Sequence, residues 1–122
     1  MPAYRSFKCD IYKTRLTVVY GVSAYAKLLG RERVNSSLFT DDAVMASTEE
    51  IHPGWVVLAV KENQYGAGIL VHESIHAAFI MLKHAGVVVD ENNHEALAYL
   101  AEWIGRVSNR FLLSVIPSKD FI

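Results

Sequence analysis

Apolar positions follow two rhythms along this chain. From Phe7 to Tyr20 they alternate among β-branched and aromatic residues, closing on Leu16-Thr17-Val18-Val19-Tyr20, which predicts one or two strands. After Gly21, the stretch Ser23-Ala24-Tyr25-Ala26-Lys27-Leu28-Leu29 predicts a short helix closed by Gly30. Residues 31–50 are polar and mixed, and read as loop with a turn or two of helix at Asp41 to Met45. Pro53-Gly54 signals a turn, and Trp55-Val56-Val57-Leu58-Ala59-Val60 is the clearest strand. Lys61 to Gly66 then leads into a helix over Ala67 to His84, stopped near Gly86. A connector follows, with Val87-Val88-Val89 extended. Asn92 or Asn93 offers an N-cap for a last helix reaching about Ser114, with Pro117 just beyond it.

The last helix has three faces on a helical wheel. Leu97, Leu100, Ile104, Val107 and Phe111 form an i, i+3, i+4 stripe that predicts a core face. Glu95, Tyr99, Glu102 and Arg106 lie roughly opposite. His94, Ala98, Ala101, Gly105 and Ser108 lie between, a mostly small strip along which another helix can approach closely.

Composition narrows the function classes. At 122 residues, with 52% apolar and 20% charged residues and a formal net charge of −1, the chain reads as one ordinary globular domain over 1–122. There is no basic excess suggesting nucleic acid and no acidic tail. The start, MPAYRSFKCD, has no apolar signal-peptide core, and no apolar run approaches the roughly 20 residues of a membrane span. A single cysteine, Cys9, has no internal disulfide partner, so a cytoplasmic home is expected.

Against this background the run "VHESIHAAF", Val71 to Phe79, stands out. Residues four apart on a helix share a face, so His72 and His76 can aim both imidazoles at one cation. Glu73 leaves the helix about a quarter-turn away, where it reaches a metal-bound water without ligating the metal. Two neutral imidazole ligands beside one general base are the physical content of an HExxH pattern. The apolar flanks, Ile69-Leu70-Val71 and Ala77-Ala78, would bury the helix and keep competing charges away. The competing reading makes both histidines ordinary, partly buried residues.

Two histidines hold zinc poorly, and a catalytic site adds a third protein ligand while leaving a position for water. Candidates stand at His94-Glu95-Ala96-Leu97-Ala98-Tyr99, with Glu95 nineteen positions after His76, enough for a helix to end and the chain to return. Here the chain resembles the gluzincin metallopeptidases, whose HExxH helix is followed by a helix bearing a glutamate ligand, often as Asn-Glu-Ala-x-Ser-Asp. Glu95-Ala96 match the Glu-Ala, and Ala98 takes the small serine position. Two positions depart: the asparagine is His94, and the aspartate that orients the first ligand histidine is Tyr99. That orienting partner must then come from elsewhere, such as Glu102 or a backbone carbonyl. The resemblance covers roughly residues 67–105. In size and layout the chain also resembles small HExxH proteins of phages and mobile elements.

The resemblance implies a minimal zincin-like α+β fold, a short twisted sheet packed on the HExxH helix and a C-terminal helix. It implies Zn²⁺ held by His72, His76 and Glu95, with His94 the rival third ligand. Glu73 would activate the zinc-bound water toward a peptide bond of a peptide or protein substrate. Tyr99 is a candidate oxyanion-stabilising residue, as are Tyr65 and His94, and the sequence does not choose among them. In such enzymes the substrate lies along an edge strand upstream of the HExxH helix, and Trp55–Val60 is either the candidate edge or a plain core strand. His52 and His84 are read as surface or capping residues, Trp103 as core, and Cys9 as non-catalytic. A different class stays open: a catalytically inactive module in which zinc braces two helices that bind a protein partner. The slight cleft of so short a chain leaves room for a homo-oligomer or such a partner.

Overall fold

The computed structural model describes residues 3–32, 36 and 43–117. Its elements run β1 (Tyr4–Cys9), β2 (Thr14–Tyr20), α1 (Val22–Glu32), β3 (Ala46–His52), β4 (Trp55–Val60), α2 (Ala67–His84) and α3 (His94–Val115). The four strands form one mixed sheet in the order β1-β2-β4-β3, which makes the architecture α+β. β2 and β4 run parallel in the middle, and each outer strand pairs antiparallel with its neighbour.

Both faces of the sheet are covered, which explains the unbroken apolar run of β4. Val56, Leu58 and Val60 point into the larger core with Leu16 and Val18 of β2, where α2 and α3 pack through Ala77, Met81, Ile104 and Leu112. Val57 and Ala59 point the other way, to Val19 of β2 and to Tyr25, Leu28 and Leu29 of α1. A strand buried on both faces has no polar side to alternate with.

α2 spans the residues expected from sequence, and its end has a clear cause. Gly86 has φ +80°, its N–H bonds to the Lys83 carbonyl at 3.1 Å, and the Val87 N–H bonds to the Leu82 carbonyl at 2.8 Å. Those paired bonds form a left-handed helix cap, a conformation open to glycine at little cost. The core stripe of α3 also holds, with Leu100, Ile104 and Phe111 buried and Leu97 and Val107 packed against the same core.

Five expectations are corrected. The polar stretch before Pro53 contains a strand, β3, whose pairing with β4 supplies the order its composition does not. Trp55–Val60 is therefore not an edge but an inner strand, and among the described residues β1 and β3 are the outer strands. Within the expected helical turn at Asp41 to Met45, residues 41 and 42 lie outside the described residues, and Ala43 to Met45 are not helical. Gly30 does not end α1, which runs on to Glu32. Val87 to Val89 form no strand. Asn93 does hold the cap position of α3, but its side chain makes no cap bond. Instead its Oδ1 accepts from the Asp90 N–H at 2.7 Å, and its amide donates to the Val88 carbonyl.

Among the described residues no helix is long and apolar enough to cross a membrane.

Candidate metal centre

α2 sets the geometry of the histidine pair. One face of the helix, including Leu70, Glu73, Ala77 and Met81, is buried, and His72 and His76 fall on the exposed side one turn apart. Their Nε2 atoms are 3.1 Å from each other, and the rings meet edge-on at 73°. Two nitrogens each about 2.0–2.1 Å from a tetrahedral zinc stand roughly 3.3 Å apart. The pair therefore fits as two donors to one ion. Without an ion the same approach suits a hydrogen bond from one imidazole to the other.

Glu73 is the unexpected member. It is 7% exposed, although it stands next to an exposed His72. A buried carboxylate needs polar partners. The Thr48 hydroxyl, from β3, supplies one by donating to Glu73 Oε1 at 2.8 Å. The other carboxylate oxygen, Oε2, lies 3.8 Å from His72 Nε2. Glu73 thus bridges the edge strand and the imidazole pair.

The expected third ligands lie on the first turn of α3. Glu95 and His94 are both largely exposed, with Glu95 Oε1 3.8 Å from His94 Nδ1. The structure brings His72, His76 and Glu73 together and does not gather Glu95 or His94 with them. Among the described residues no group of three or more His, Cys, Asp or Glu side chains is arranged to hold a metal. Glu102, a possible orienting partner, pairs instead with Arg106 on its own helix at 3.3 Å.

Between α2 and α3 opens a largely apolar groove of about 970 Å³. Leu70, Val71 and Ile75 line it from α2, and Leu97, Ala98, Ala101 and Gly105 from α3. The small strip read from the sequence thus faces α2. His94 sits on the groove wall, and Tyr99 is 69% exposed on the outer side of α3. Tyr65, another oxyanion candidate, is buried and donates its hydroxyl to Asn109 Oδ1, and burial raises its pKa above the ordinary phenol value.

The remaining residues fall where local chemistry places them. His52 pairs with Glu32 at 3.4 Å, and His84 stands 3.8 Å from Glu50. Trp103 packs partly buried against the main core, and Cys9 is a buried free thiol. Thr48 is the member of this cluster that the sequence reading missed. Its partner lies 25 positions away, and no local pattern links the two.

No protein-family model, curated protein or solved structure matches this chain.

Proposed function

We propose that this protein is a small zinc-dependent metallopeptidase of gluzincin-like type, working in the cytoplasm on a peptide or protein substrate. The observation that supports it most is the convergence of His72 and His76 Nε2 at 3.1 Å, with the Glu73 carboxylate 3.8 Å from the first imidazole. His72 and His76 would hold Zn²⁺. Glu95, on the helix packed beside α2, is the proposed third donor and His94 its rival. A bound zinc ion would supply Lewis acidity toward a substrate carbonyl.

Glu73 does the proton work in this reading. Its Oε2 takes a proton from water as the water oxygen adds to the scissile carbonyl, then delivers that proton to the departing amine. An extended peptide would pair with β3, since among the described residues no strand lies on its outer side. That edge carries Thr48 and therefore runs beside Glu73.

A second reading draws on one feature. Val71, Ile75 and Phe79 are large, apolar and exposed on α2 beside the histidines, a surface suited to a protein partner. In that reading zinc braces the helices and no bond is cleaved. Metal content by elemental analysis tests the shared premise. Hydrolysis of a peptide library, lost in Glu73→Gln while zinc is retained, separates enzyme from binding module.

A further inference from the structure

Thr48 lies opposite Leu58 in the antiparallel pairing of β3 with β4. Directly opposed residues share a face of the sheet, and Leu58 points into the core formed with α2 and α3. The pairing therefore aims Thr48 at α2. Its hydroxyl stands 2.8 Å from Glu73 Oε1 and 3.2 Å from the Glu73 backbone oxygen. Glu73 lies within α2, where each carbonyl is already engaged by the amide four residues on. The carboxylate is the acceptor that gains most from the hydroxyl hydrogen.

The geometry points to Thr48 as the positioning residue of Glu73. This inference rests on the reading of Glu73 as general base. A glutamate has three side-chain torsions, and the last is broad and weakly restrained. Thr48 is stiff at its first torsion and sits on backbone paired with β4. Its bond fixes Oε1 against the edge strand and leaves Oε2 turned toward the imidazoles. Because a peptide substrate would pair with the same strand, one element places both the base and the scissile bond. A positioned base loses much of its effect when its oxygen shifts by an ångström.

The test compares Thr48→Val, which keeps shape and removes the hydroxyl, with Thr48→Ser, which restores it. The substrate is a peptide that the wild type cleaves, drawn from a quenched-fluorescent library. Thr48→Val is expected to keep wild-type zinc content and a KM within about twofold, with kcat about ten- to a hundredfold lower. Thr48→Ser should recover most of that loss. A second readout needs no activity. In urea unfolding, Thr48→Val should raise the unfolding constant about tenfold in the wild-type background and less than about twofold beside Glu73→Ala. Wild-type kcat in an active Thr48→Val enzyme, or an equal stability cost in both backgrounds, overturns the role of Thr48 alone. A wild-type protein with neither zinc nor hydrolysis overturns the peptidase reading, and the role of Thr48 falls with it.

Discussion

Ser74 Oγ stands 3.6 Å from the place a Cβ on Gly105 would occupy, so α2 and α3 meet there with space for a methyl group. The Ser74 hydroxyl is buried and, among the described residues, has no hydrogen-bond partner. Both residues can therefore be improved for stability. Gly105→Ala should stabilise the protein by about 0.5–1 kcal/mol, the helix-interior cost of glycine relative to alanine. Ser74→Ala removes an unsatisfied buried hydroxyl and should stabilise by about 1 kcal/mol. Urea denaturation of the two variants checks both, and a loss of stability in Gly105→Ala would mean the helices pack more tightly than this.

Zinc binding is expected at about one ion per chain. His72→Ala and His76→Ala should each weaken it more than about a hundredfold, exceeding the effect of losing an outer partner. Glu95→Ala should weaken it strongly and His94→Ala should spare most of it. Competition with a chelator of known affinity gives the order. The reverse order would make His94 the ligand and end the gluzincin assignment while leaving a metal site. A chain that takes up no zinc ends the metallopeptidase reading altogether.

Glu73→Gln separates binding from chemistry. The amide keeps an oxygen for the Thr48 hydroxyl but cannot accept the proton from water. Zinc content near wild type is expected, with hydrolysis at least about a hundredfold lower. Cleavage at the wild-type rate would remove Glu73 from the mechanism.

Burial raises the pKa of both Tyr25 and Tyr65. A phenol whose folded value exceeds its unfolded value near 10 adds nothing to pH dependence below that point. As pH climbs from the unfolded value through the raised one, the unfolded chain gives up protons first and stability falls. Unfolding free energy should thus be flat with respect to these groups near neutrality and decline above about pH 10. Tyr65→Phe should soften that decline. It should also cost about 1 kcal/mol at neutral pH through the lost bond to Asn109, read by denaturant titration at several pH values.

Local pattern alone determined much of this protein. The period of Ala67–His84, the stop at Gly86, the apolar run of Trp55–Val60 and the stripe of α3 are all written within short windows. So is the adjacency of His72 and His76, because one helical turn fixes it. Tertiary structure decided the rest. β3 is polar enough to read as loop, and only its ladder with β4 makes it a strand, one of the two outer ones among the described residues. The burial of Glu73 and its bond to Thr48 exist because the sheet carries β3 beneath α2, joining residues that no spacing rule connects. The place of Glu95 is likewise set by how α3 turns its buried stripe toward the core, which leaves Glu95 exposed. Periodicity is a property of a short window and survives without context. Which side chains meet depends on how whole elements rotate to bury their apolar faces, and that is decided only when the sheet and helices pack together.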